Sequence, residues 1–195
     1  MNKLLKLFLF SLALMFTQAS FGAAHGKKAM RGMTLDNALS SLSFVSVKKG
    51  TGGEVHTIDK LSGSLSAGGD LLVTLNLASV NTKIAIRDER LQKHLFEIEK
   101  NPVAIVSAKV GKVSEGVSRV NGAMELNLHG VKKNVDFETI AVMSGDKLVV
   151  SSAKPIIIKA SDYGLEGGIA MLQKMAKLPS IATAVPVSFV LTFSK

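Results

Sequence analysis

The chain has 195 residues, 47% of them hydrophobic, and 24 Lys and Arg against 15 Asp and Glu give it a formal charge of +9 at neutral pH. It contains no cysteine, which excludes disulfides, thiolate nucleophiles and Cys-ligated metals as supports of the fold. Aromatic residues make up 5%, with one Tyr and no Trp, and the basic residues are scattered in pairs such as Lys48-Lys49 and Lys132-Lys133; a nucleic-acid binder would need a basic stripe with interleaved stacking rings.

The N-terminus begins with Lys3 and Lys6, continues with an apolar run over residues 7–16, and follows it with small residues, the layout of a cleaved secretory signal. Cleavage after Gly22 fits best and after Ala24 next. The apolar run is well short of the roughly 20 residues of a spanning helix, and no Cys follows it to carry a lipid anchor. The chain therefore divides into a signal peptide over 1–22, a polar flexible lead-in over 23–38, and one domain over 39–195.

Alternation of period two begins at Leu42 and Phe44, then changes register at Val45 and Val47, which predicts a bulge or bend. A second strand follows the Gly-rich turn at 50–53, with a kink near Asp59 and Lys60. After a tight turn at 67–70, Leu71, Val73, Leu75 and Leu77 share one face of a third. From 86 to 100 the period changes: Ile86, Arg90, Leu91, His94, Leu95 and Ile98 form one helical stripe, Asp88 and Glu89 suit its first turn, and Pro102 ends it. Alternation returns with Ala104, Val106 and Ala108, then with Val120, Gly122, Met124, Leu126 and Leu128, then with Val131, Val135, Phe137 and Ala141. A turn at 144–146 leads into another strand, residues 168–178 read as a second helix, and Val185, Val187, Phe189, Leu191 and Phe193 close the chain in phase. These roughly eight strands lie too close together for parallel crossovers, so neighbours are antiparallel, in a sandwich or a closed barrel.

Four stretches resemble the YceI-like family of bacterial periplasmic lipid-binding proteins. The first contains Arg87, Asp88, Arg90, Leu91, His94, Leu95 and Phe96, then Pro102; the second contains Leu126, Leu128, His129, Gly130, Val131 and Lys133. The third is SDYGL from Ser161, and the fourth is the closing AVPVSFVLTF. The resemblance implies an all-β, up-and-down antiparallel barrel of about eight strands, lipocalin-like, with two helical insertions, working in the periplasm. It also implies a long hydrophobic pocket for a polyisoprenoid or similar amphiphilic lipid and no further cofactor, while the basic charge suits either brief contact with an anionic membrane surface or ordinary solubility.

Barrel-lining candidates are Leu71, Val73, Leu75, Leu77, Val106, Ala108, Gly122, Met124, Leu126, Leu128, Phe137, Phe189 and Leu191. Periodicity alone leaves open whether they fill a core or surround a cavity, although Ala104, Ala108, Gly122 and Ala141 leave volume that larger residues would occupy. Arg87, Asp88, His94 and Tyr163 are the candidates for the rim. Arg87 could hold an anionic head group bidentately, or could tie the helix to the barrel through Asp88. Catalysis finds little support: His25, His56, His94 and His129 are far apart in sequence, and no nucleophile elbow is present. A periplasmic enzyme acting on a lipid and a filled, partner-binding barrel stand as the alternatives.

Overall fold

The computed structural model describes residues 32–195, so the signal segment, the start of the lead-in and His25 lie outside the described residues. Twelve strand segments form one antiparallel sheet. They are β1 (Met33–Leu35), β2 (Ser41–Lys48), β3 (Gly52–Ile58), β4 (Leu61–Leu65), β5 (Asp70–Asn76), β6 (Val80–Asn81), β7 (Val103–Lys109), β8 (Gly116–Leu128), β9 (Val131–Ser144), β10 (Lys147–Ser152), β11 (Ile156–Lys159) and β12 (Ala184–Ser194). In space they make eight staves, because β1 with β2, β3 with β4, β5 with β6 and β10 with β11 are each one stave with a break. The sheet closes where the last stave meets the first: Phe189 pairs with Leu42, Val187 with Phe44, and Phe193 with Leu35. Closure removes the sheet edges that an open arrangement would expose.

The breaks in the first and third staves share one physical device. Asp36 and Asn76 each accept a hydrogen bond from the amide two residues on, at 3.0 Å, which turns the strand into a short 3-10 turn. Asn37 then bridges the neighbouring break, accepting from Leu61 N at 2.6 Å and donating to Asp59 O at 3.2 Å. The kink expected near Asp59 is the middle member of this row.

Three expectations need correction. Residues 33–35, placed in the flexible lead-in, form β1, because Met33 and Leu35 are buried and the strand fills the gap between β12 and β4. No bulge occurs in β2: its ladder to β3 is regular from Ser43–Thr57 to Lys48–Gly52, and the second register belongs to half-buried outer valines. The first helical stripe also slips. An α-helix, α1 (Ala85–Arg90), passes into a π-helical turn over Leu91–Phe96, so Leu91 and Phe96, five apart, are both buried while Ile86 is 53% exposed. The segment ends at Glu97, whose φ of 47° is left-handed, well before Pro102.

The second helix, α2 (Glu166–Met175), packs against the π-helical turn across the same end of the barrel. Gly168 permits that approach, since a Cβ there would sit 2.5 Å from the His94 carbonyl oxygen. At the opposite end Gly69 does the same for the turn before β5. Its φ is +85°, and a Cβ would lie 2.3 Å from the Gly111 carbonyl oxygen. Gly69→Ala should therefore lower stability by about 2 kcal/mol or more, combining left-handed strain with a backbone clash. Denaturant unfolding checks this, and an unchanged midpoint would show that the two turns are free to separate.

Candidate functional site

The inward positions of the staves surround a cavity of about 230 Å³. One water needs roughly 10–15 Å³ in the same measure, so this is a ligand-sized void and not packing slack. The filled core that alternation left open does not form. Every lining side chain is apolar except Thr139, and its hydroxyl donates to Val120 O at 3.0 Å. Such a wall offers an occupant dispersion and water exclusion and no polar partner.

Twelve of the expected lining residues stand on the wall: Leu71, Val73, Leu75, Leu77, Val106, Ala108, Met124, Leu126, Leu128, Phe137, Phe189 and Leu191. Gly122 does not. It points inward between Val120 and Met124, but the ring of its cross-strand partner Phe137 lies 3.5 Å from where its Cβ would be, so that ring occupies the volume the glycine leaves. Leu42, Phe44, Val185 and Val187 also line the cavity, on the same alternation. Leu95, Phe96, Leu165 and Ile169 line it from the helical segments, and only the packing of those segments over the barrel end brings them there.

None of the four rim candidates lines the cavity. Arg87 donates from Nε to Thr82 Oγ1 at 2.9 Å and from its second terminal nitrogen to Thr82 O at 3.0 Å, and also reaches Glu54. Asp88 accepts from Thr82 N at 2.8 Å and from Thr82 Oγ1 at 2.6 Å. The two side chains thus meet on Thr82, which is 3% exposed, and fasten α1 to the barrel. Of the two roles open to Arg87, the geometry favours the structural one, since each of its three nitrogens already donates to Thr82 or Glu54. His94 is half-buried beneath α2, and Tyr163 is 1% exposed rather than at a rim. Burial, and after it the charge of Asp162, pushes the Tyr163 phenol above its ordinary 10.0.

At the helix-covered end of β2 and β3 the inward face carries a cluster of charged and polar side chains. There Lys48 Nζ lies 2.7 Å from Glu54 Oε1, and His56 Nε2 lies 3.8 Å from Glu54 Oε2. The hydrogen bond from Lys48, helped by Arg87, holds the Glu54 carboxyl below its ordinary 4.5 against the opposing effect of burial. His56 is 3% exposed and meets the Phe44 ring edge-on at 5.4 Å between centroids. Burial first, then the charge of Arg87, depresses its pKa below 6.5.

His56 therefore stays neutral in the fold while the unfolded chain takes up a proton as pH falls through about 6.5. Its contribution is present above that pH and is lost as pH falls toward the depressed folded value. Thermal unfolding should show a falling Tm between about pH 7 and 5 that is reduced in His56→Leu. Equal pH dependence in the two proteins would mean that the fold leaves the affinity of His56 for a proton unchanged.

A family model described as the YceI-like domain matches residues 33–193. Among solved structures, a polyisoprenoid binding domain from Saccharophagus degradans implicated in plant cell wall breakdown is 37% identical, with a TM-score of 0.80 over 83% of this chain and 97% of its own. BcnA of Burkholderia cenocepacia is 18% identical with a TM-score of 0.65, over 81% of this chain and 98% of its own, a likeness of fold alone. No curated protein matches the chain.

Proposed function

The chain belongs to the YceI-like domain family, and from that premise we propose that it encloses the apolar tail of a long-chain isoprenoid or related amphiphilic lipid, and carries or sequesters it in the periplasm. The observation that carries this reading is the cavity wall, which is apolar throughout save for one hydroxyl already engaged with a backbone carbonyl. A tail gains about 0.8 kcal/mol for each CH₂ removed from water, so ten or more carbons bind tightly without any polar recognition. The similar domain from Saccharophagus degradans, described as polyisoprenoid binding, supports the same ligand class.

The protein acts as a binder rather than an enzyme on this reading, because the cavity presents no acid, base or nucleophile to a substrate. Contact with a membrane surface is brief and is favoured by the basic charge, which suits anionic head groups. Organic extraction of the purified protein followed by mass spectrometry tests the proposal. A long-chain lipid in near-stoichiometric amount is expected, whereas a barrel left empty after incubation with such lipids would sink it, and turnover of the lipid would replace the carrier by an enzyme. Export is tested separately: the periplasmic fraction should hold a protein whose N-terminus is Ala23, and an intact Met1 in the cytoplasm would overturn that part.

A further inference from the structure

The barrel wall is not equally closed all round. Strand β9 pairs with β8 along its whole length, from Gly116–Met143 to Leu128–Val131. On its other edge β8 is paired with β7 only through Glu125, Leu126 and Asn127, so residues 116–124 belong to no ladder on that side. The connection 110–115 leads from β7 to the start of β8, and its Gly111, Lys112 and Val113 line one crevice with Met33, Leu65 and Met143. Val110 N is held by Gly69 O at 2.9 Å, and the Glu115 carboxylate accepts from Gly145 N at 3.2 and 3.3 Å, but among the described residues no backbone hydrogen bond joins 111–115 to β8.

Two further observations fall on this seam. Gly111 and Gly116 bracket the segment with φ of +70° and +92°, and neither has a neighbour within 4 Å of where a Cβ would be, so both ends have the backbone freedom of a hinge. The banks of the seam also line the cavity: Ala108, Val110 and Val113 on one side, Val120 and Met124 on the other. The helix end carries α2 tight against the π-helical turn, and the other end has the Gly69 turn in contact with Gly111.

We propose that the apolar tail enters and leaves the barrel sideways, through the seam between the strap of residues 111–116 and the free edge of β8. Val113 is the side chain that withdraws, Glu115 is the latch that holds the strap to the turn after β9, and the polar end of the ligand stays outside at the seam. This deepens the lipid-binding reading and rests on it. The strap can move because little is lost when it does: its own amides are not part of the sheet, whereas passage at any other stave would break a ladder of strand hydrogen bonds.

Stopped-flow exchange of a dansyl-labelled farnesyl lipid between this protein and phosphatidylcholine vesicles tests the route. Glu115→Ala should raise the rates of uptake and release about tenfold while equilibrium affinity stays within about threefold, since a lowered barrier speeds both directions, and Val113→Ala, which also trims the wall, should raise both rates by a similar factor. Leu172→Ala, on the helix-covered end but off the cavity wall, should leave uptake within about twofold of the parent rate. Acceleration by Leu172→Ala with none in the strap variants overturns the seam and leaves the lipid-binding reading in place. A parent protein that takes up no probe removes both. Hydrogen exchange on lipid-free protein supplies a second measurement: amides of residues 112–124 should exchange faster than those of α2, and the reverse order counts against the strap.

Discussion

Ala108→Phe is expected to cost about two orders of magnitude in lipid affinity while the barrel still folds. Ala108 stands on the cavity wall opposite Leu71 and is only half-buried, so a ring placed there projects into empty volume instead of into packed neighbours. A phenyl group displaces roughly four methylenes of a bound tail, which at about 0.8 kcal/mol each is about 3 kcal/mol, or about a hundredfold in Kd. Titration with a fluorescent long-chain lipid measures the loss, and far-ultraviolet circular dichroism with thermal unfolding shows that the barrel persists. Unchanged affinity in a folded Ala108→Phe protein would mean that the tail does not occupy this void. Gly122 is unsuited to the same test, because the Phe137 ring already lies over it and a larger residue would strain the wall before it reached the cavity.

Asp88→Ala is expected to be the most damaging single change to stability outside the core. It leaves the amide of buried Thr82 without its acceptor and the hydroxyl with only the longer bond to Ile84 O at 3.3 Å, a loss of about 2–4 kcal/mol when a buried unsatisfied group costs about 1–3 kcal/mol and a weakened hydrogen bond about 1. Asp88→Asn, which keeps an acceptor oxygen, should recover much of the loss. Arg87→Ala removes the bonds to Thr82 and Glu54 and should cost stability while leaving the lipid affinity of the folded fraction unchanged. Urea unfolding of the single and double variants gives the coupling. A value well above about 0.5 kcal/mol places Arg87 and Asp88 in one structural unit, and an Arg87→Ala protein of normal stability with weakened lipid binding would return Arg87 to the head group.

The polar cluster around Glu54 shows why some of the site was not legible in the chain. Glu54, Thr82 and Arg87 come from three different segments, and each is an ordinary polar residue in its own; only closure of the barrel with α1 across its end brings them together. The reading of Arg87 as a head-group ligand rested on its side-chain chemistry, which fits a carboxylate on a lipid and the carboxylate of Glu54 equally well. The slip in the first helical stripe has a similar origin. A periodicity of 3.6 residues puts Ile86 and Arg90 on the inner face, but the π-helical turn inserts one residue and rotates the earlier side chains outward. Nothing local in residues 86–96 marks that insertion.

What the sequence by itself determined is a set of half-buried antiparallel strands and the apolar character of the face they share, with the closed barrel implied by the family resemblance. Side chains alternate strictly across a strand, so Leu71, Val73 and Leu75 in β5, or Met124, Leu126 and Leu128 in β8, have to share a face, and an antiparallel set of such strands has to bury that face. The same rule puts twelve of the expected residues on the cavity wall, because it depends only on the pleat and not on which strands become neighbours. The tertiary structure alone decided three things: that the enclosed space is a void, that the helical segments cover one end of it, and that β8 is paired on one edge only along residues 116–124. Each depends on how far one stave is shifted against the next around the closed circle, and that shift is set by hydrogen-bond register between segments distant in the chain, to which a local pattern of apolar and polar residues is blind.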